Sequence, residues 1–275
     1  MLSILAGLLA LSVAAGFIGA LTGLGGGVFI VPALVIVAHV PMYVAVGASL
    51  ISVVATSAGA SVAFVRDGWT NLHIAMVLEC ATVTGAVTGA YLAGLIPTWV
   101  LELLFAMMML QSAYFSLSKQ QDELLPKGSP IAERLELGGE LPDISGGVVH
   151  YGVTNLATGG LLMVIAGLMS GLLGIGSGAL KVMAMDFFMH IPLKVSSATS
   201  NFMIGVTAGA GALVFLARGD VSTVIAAPVA IGVTVGALAG SRILPNADVK
   251  LLRISFAVIL VLIAAEMGWR AMNGI

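Results

Sequence analysis

From Ala15 to Ala106 the chain stays in one register with its own second half, 151 positions further on, without a gap. Ala15-Gly16 falls on Ala166-Gly167, His39-Val40-Pro41 on His190-Ile191-Pro192, Ser49 on Ser200, Thr56 on Thr207, Gly68 on Gly219, Gly85 and Gly89 on Gly236 and Gly240, and Phe105-Ala106 on Phe256-Ala257. Coincidence does not hold one register over that distance, so the chain is a duplicated unit. The unit is apolar almost throughout. Hydrophobic residues make up 59% of the sequence and charged residues 9%, with mean hydropathy +1.12, against roughly 45–50% and about 25% in soluble domains. Apolar runs near the ~20 residues of a membrane span recur along the chain, which excludes a soluble globular protein.

The first half divides into hydrophobic segments 2–21, 28–40, 44–65, 72–95 and 98–117, and the second into 150–173, 179–191, 195–217, 221–244 and 249–272. Between them the character changes: charges of both signs and Pro126, Pro130 and Pro142 mark an aqueous linker. The division expected is a first membrane repeat over 1–118, a linker over 119–147 and a second repeat over 148–275. No Lys or Arg precedes Arg66, so the first run reads as a retained span, not a cleaved signal. Cys80 is the only cysteine, which excludes an intramolecular disulfide or a thiolate metal cluster. The fold class is an all-α integral membrane protein of two homologous repeats, inverted relative to each other, with four to five hydrophobic helices each. Inversion follows if the short segments cross. The loop at Ile96-Pro97 then lies outside, the matching region with Arg242, Lys250 and Arg253 inside, and both termini outside; Arg218 and Arg270 fall against this rule.

The repeats are interrupted at matching places. Thr22 to Gly27 reads Thr-Gly-Leu-Gly-Gly-Gly, and Gly174, Gly176 and Gly178 repeat the pattern. Glycine costs a helix interior roughly 1 kcal/mol relative to alanine, so such clusters open the backbone. The segments that follow are too short for a ~30 Å hydrocarbon core, and are tilted, re-entrant or halves of broken helices. Irregular backbone at membrane depth survives only when buried in protein or lining a polar cavity. Freed N–H groups at a helix start attract anions. An anion site is therefore expected from Thr22, Gly25, Gly26 and Gly27 together with Gly176, Ser177 and Gly178. Lys181, which replaces Ile30 of the first copy, would add charge, with a structural pairing to Asp186 as the alternative. Ser49, Thr199, Ser200 and Asn201 would add neutral donors. Glu79 lies inside a membrane segment and is the leading candidate for proton coupling. His39 and His190 are further candidates, or caps for segment ends. The stripes Ala81, Gly85, Gly89 and Gly232, Gly236, Gly240 read as helix packing.

Enzyme signatures are lacking: Gly23 to Gly27 does not complete GxGxxG, Gly176-Ser-Gly178 lacks the Gly-Lys-Ser/Thr ending of a phosphate loop, and there is no HExxH. The motifs do resemble a known family, the sulfite exporter TauE/SafE type membrane permeases. The resemblance rests on Gly-Ala-Leu-Thr-Gly-Leu-Gly-Gly-Gly (19–27), Gly-Leu-Leu-Gly-Ile-Gly-Ser-Gly (171–178), Ile-Pro-Leu-Lys-Val (191–195) and Ala-Thr-Ser-Asn-Phe-Met-Ile-Gly-Val-Thr (198–207). It implies a secondary transporter in a bacterial-type cytoplasmic (inner) membrane, exporting a small sulfur-containing anion by alternating access, without ATP or a cofactor. Its partners would be that anion and the bilayer, with proton coupling and a homodimer left open and no nucleic acid. A passive anion channel and a membrane sensor or scaffold are the alternatives. Ser177 in place of Gly26, and Met183 in place of Pro32, suggest a second short segment of different shape.

Overall fold

The computed structural model describes residues 2–22, 26–117, 128–142, 148–243 and 249–273. The first half contains α1 (Leu2–Thr22), the short α2 (Gly27–Pro32), α3 (Met42–Arg66), α4 (Leu72–Ala93) and α5 (Thr98–Leu117). A small connecting region follows, with α6 (Pro130–Arg134) and the strands β1 (Gly139–Pro142) and β2 (Val148–Tyr151). The second half contains α7 (Leu156–Leu173), the short α8 (Gly178–Met183), α9 (Leu193–Arg218), α10 (Thr223–Ile243) and α11 (Val249–Asn273). Five of these helices, α3, α4, α5, α7 and α9, are long and apolar enough to cross a membrane. Among the described residues the protein is an all-α membrane protein apart from one hairpin.

The two short helices match residue for residue. Each has six residues and runs into a five-residue π turn, Ala33–Val37 in one and Ala184–Phe188 in the other. At about 1.5 Å per residue such a unit covers roughly 16 Å, half of a hydrocarbon core. The wide turn closes identically in both, with the Val40 amide donating to the Leu34 carbonyl at 3.0 Å and the Ile191 amide to the Met185 carbonyl at 2.9 Å. His39 and His190 then take left-handed backbone conformations, φ 51° and 55°, that turn the chain into α3 and α9. The starts differ as Ser177 suggests, Gly26 lying in the right-handed region (φ −64°) and Ser177 in the left-handed one (φ 51°), whereas Met183 in place of Pro32 leaves the helix length and the π turn unchanged.

The halves exchange their helices. The first helix of each packs on the fourth of the other, α1 on α10 and α7 on α4; α3 pairs with α9 and α5 with α11. The α4–α7 crossing is backbone on backbone. A Cβ at Gly85 would run into the Val164 carbonyl, at Gly89 into Leu168, at Gly167 into Thr82 and at Gly171 into Ala86. The α1–α10 crossing repeats this with Gly16 against Val233 and Gly236 against Val13. Only glycine permits so close an approach, so the small-residue stripes serve packing, as their spacing suggests.

The connecting region departs from expectation. Val148–Tyr151 does not begin a membrane helix but pairs antiparallel with Gly139–Pro142, Glu140 opposite His150, so α7 starts at Leu156, six residues later than its apolar pattern. Within the linker Ala132 and Leu137 are buried, and with Tyr151 and Val153 they join a core containing Ile74, Leu78, Met185 and Met203. Asn71 anchors the hairpin. Its amide donates to the Leu137 carbonyl at 3.0 Å and to the Tyr151 hydroxyl at 2.8 Å, while its Oδ1 accepts the Ile74 amide at 3.1 Å as the cap of α4. Burial pushes the Tyr151 phenol up from its ordinary range, so it remains a neutral hydroxyl. Glu133, Arg134, Glu136 and Glu140 are exposed, but the apolar residues Ala132 and Leu137 tie this region to the membrane body.

Gly85→Val is expected to cost about 3 kcal/mol through overpacking against a backbone that cannot yield, whereas Gly160→Val, with open space at its Cβ, leaves the detergent melting temperature near wild type. Asn71→Ala removes a helix cap and two half-buried bonds, about 2 kcal/mol together, and limited trypsin digestion should then cut faster at Arg134.

Candidate functional site

The two glycine breaks meet. The Ser49 hydroxyl, on α3, donates to the carbonyl of Gly174 in the second break at 2.7 Å and lies 3.4 Å from the Gly27 carbonyl in the first. Ser200 does the matching duty on α9, 3.3 Å from the Gly178 carbonyl. A Cβ built on Gly27 would stand 3.1 Å from the Gly174 oxygen. Val53 packs against both Gly27 and Gly176, and its repeat counterpart Ile204 packs against Gly176 and Gly178. Gly26, Gly27, Ser49, Gly176, Ser177, Gly178 and Ser200 therefore come together, all buried. Gly25 and the side chain of Thr22 lie outside the described residues.

The second break is the more contorted. Gly174, Gly176 and Ser177 all have positive φ, 71°, 70° and 51°. Left-handed backbone costs a non-glycine residue of the order of 1–3 kcal/mol and persists where surrounding structure enforces it. The Ser177 hydroxyl is buried, 2% exposed, and has no hydrogen-bond partner. An unmade bond of this kind costs about 1–3 kcal/mol. Ser177 is the N-cap residue of α8 yet makes no side-chain cap hydrogen bond, and the first N–H groups of a helix have no partner within it.

Lys181 sits one turn further on, its amide bonded to the Ser177 carbonyl at 3.1 Å. Its side chain is fully buried and does not pair with Asp186 as its charged partner; Nζ donates to Thr207 Oγ1 at 2.5 Å, which lies 2.6 Å from Glu79 Oε1. The remaining expected residues go elsewhere. Thr199 Oγ1 accepts the Asn71 amide at 3.1 Å, and the Asn201 side chain donates to the Ser197 carbonyl of its own helix at 3.0 Å. His190 Nδ1 lies 2.9 Å from Thr154 Oγ1, and His39 is exposed at its turn. Arg218, which runs against the charge rule for inversion, is neutralised by Asp220 at 2.8 Å and donates to the Ala90 carbonyl at 3.1 Å.

Reading the sequence missed Thr207, Val53 and Ile204 as parts of this region. Thr207 had a signal: it lies seven positions after Ser200, two helical turns, and so on the same face of α9. The valine and isoleucine had none, since apolar residues in a membrane helix are unremarkable.

Buried broken helices that meet at the interface of two duplicated halves define a membrane transporter of the repeat type. The chain belongs to the sulfite exporter TauE/SafE family, whose model matches residues 8–267. It is 27% identical over 267 residues to the probable membrane transporter protein YunE of Bacillus subtilis (strain 168), covering 94% of this chain and 96% of the relative. It is also 26% identical to the probable membrane transporter protein YdhB of the same organism, over 84% of this chain and 85% of the relative. A third relative, the probable membrane transporter protein ORF9 of Sinorhizobium sp, is 24% identical, with 92% and 88% covered. No solved structure matches the chain.

Ser49→Ala should lower stability by about 1 kcal/mol, the net worth of one bond, and Ser200→Ala by less, since its bond is longer. Thermal unfolding of the two purified variants in detergent checks the order.

Proposed function

We propose that this protein is a secondary transporter that moves a small sulfur-containing anion, such as sulfite or a sulfonate, outward across the cytoplasmic membrane. The reading carries no catalytic step. The anion binds where the two breaks meet, and the two inverted halves rock around it in alternating access. The observation that carries this reading is the unpartnered Ser177 hydroxyl at a buried, left-handed helix start. A tetrahedral or trigonal oxyanion accepts hydrogen bonds from several directions at once, as a hydroxyl and successive backbone N–H groups present them. Sulfur as the central atom and export as the direction are supported by the family's description and by no particular contact.

Val53 and Ile204, on the paired helices α3 and α9, are the apolar flanks of the site. From Val54 to Arg66 a largely apolar cavity of about 570 Å³ continues between these helices, lined also by Ser57, Ser61 and Gly205. Arg66 at its edge is paired with Asp67 at 3.0 Å, so the cavity is a largely apolar recess beside the site.

The test is an uptake-and-efflux screen in proteoliposomes with an imposed proton gradient, using sulfite, thiosulfate, sulfoacetate, taurine and non-sulfur carboxylates. A carrier gives saturable flux for the sulfur anions. Flux linear in concentration would make the protein a channel, and no flux with a co-purifying partner would make it a scaffold. Ser177→Val should reduce saturable flux about tenfold, the equivalent of one lost hydrogen bond to a charged group.

A further inference from the structure

Lys181 and Glu79 belong to different halves, and both are buried at membrane depth, yet no direct salt bridge joins them. Thr207 stands between, 2.5 Å from the ammonium and 2.6 Å from the carboxylate. Three elements therefore meet at one hydroxyl: α8, which carries the second break, α4 of the other half, and α9. A hydroxyl has one proton to give and two lone pairs to receive. When Glu79 is ionised, Thr207 accepts from Lys181 and donates to Glu79. When Glu79 is protonated, its own O–H donates to Thr207, which turns its proton to the Met203 carbonyl 2.8 Å away. Both wirings satisfy the Thr207 hydroxyl without any heavy atom moving. Glu79 Oε2 is buried with no partner, a costly state for an ionised carboxylate.

The arrangement occurs once. At the equivalent positions the other half has Ile30 for Lys181, Ala230 for Glu79 and Thr56 for Thr207. A structural bolt between the halves would be expected in both copies, as the glycine crossings are. The charges instead stand only beside the break that holds Ser177.

We propose that Lys181, Thr207 and Glu79 form a proton-coupling centre that ties uptake of one proton by Glu79 to binding of one negative charge at the second break. This rests on the transport reading above. The reason is charge balance in a medium that tolerates no net charge. The empty site holds Lys181 as a cation and Glu79 as an anion, net zero. The loaded site holds the Lys181 cation, a neutral Glu79 and the bound anion, again net zero. Binding the anion beside an ionised Glu79 leaves a surplus negative charge, and protonating Glu79 without the anion leaves a surplus positive one. The carrier therefore moves anion and proton together, and net movement is outward when the cytoplasmic excess of the anion outweighs the proton gradient. Among the described residues, few other ionisable groups lie on the neighbouring elements. α7, packed on both α4 and α8, has no ionisable side chain; α9 carries only Lys194 and Arg218, near its ends. On α4, His73 and Cys80 are exposed. Asp186, on the π turn after α8, has contacts of its own.

The experiment uses the purified full-length protein and methanesulfonate, a sulfonate that stays monovalent across the neutral range, so that a proton moving with it is the protein's. Wild-type affinity should rise about tenfold for each pH unit lowered, the slope of one coupled proton, and methanesulfonate entry should acidify proteoliposomes. Glu79→Gln should bind with no pH slope and exchange methanesulfonate without acidification. If that variant fails to fold because it leaves Lys181 unbalanced, the E79Q/K181M double variant, neutral when empty, should fold but lose methanesulfonate binding, since the bound anion would stand uncompensated; binding retained there overturns the proposal. Thr207→Ser should keep the slope and Thr207→Val should lose it, which separates a relay from mere packing. A flat wild-type profile, or a slope retained in the glutamine variant, overturns the proposal. Infrared spectroscopy distinguishes the two readings: a carboxylic acid C=O band that titrates in wild type and is absent from E79Q supports the proton site. Absence of that band overturns it. If the band appears with a non-sulfur anion while no sulfur anion binds or moves, the failure belongs to the transport reading.

Discussion

Everything in this fold depends on backbone-to-backbone contact at two glycine-lined crossings. In a bilayer the lipid tails are as apolar as the side chains, so the hydrophobic effect does not drive one helix onto another. Close approach must supply the attraction, through dispersion between many atoms at short range. Gly85, Gly89, Gly167 and Gly171 bring α4 and α7 together without intervening side chains, and Gly16 and Gly236 do the same for α1 and α10. Each crossing joins one half to the other. The duplicated units are thus interlocked, and the broken helices are enclosed between them.

That enclosure makes the breaks tolerable. A helix start at membrane depth exposes N–H groups that lipid cannot satisfy. Here the carbonyls at the breaks are met by Ser49 and Ser200 from α3 and α9, and the apolar side chains of Val53 and Ile204 cover the glycines. The two sides are not equal. The first break is bare backbone where it is described, whereas the second has the unsatisfied Ser177 hydroxyl, and one turn beyond it the buried ammonium of Lys181. A two-fold scaffold thus carries a one-sided chemistry.

Much of this was legible before any coordinates. The α5 helix, Thr98–Leu117, coincides with its apolar run, and the glycine stripes fall at the crossings their spacing implies. The run 150–173 misleads, because Val148–Tyr151 is as apolar as a helix start yet finds a strand partner in Gly139–Pro142. Periodicity over so few residues does not separate strand from helix. The linker misleads in the opposite sense: its charges suggest a solvated loop, and only the placement of Ala132 and Leu137 against Ile74 and Met185 reveals a docked cap.

By itself the sequence determined the solvent of this protein, the duplication, the order of its helices and the places where they break. Those properties are local or periodic, set by runs of apolar residues and by glycine's backbone freedom. Tertiary structure alone decided the partner of Lys181. Asp186, five residues away, is the nearer acid in the chain, but five positions is a poor same-face spacing. The bridge to Glu79 passes through Thr207, 128 positions from that carboxylate. Likewise the bond from Ser49 to Gly174 spans 125 positions. Contacts of that range depend on how the two halves interlock, and no pattern within either half encodes them.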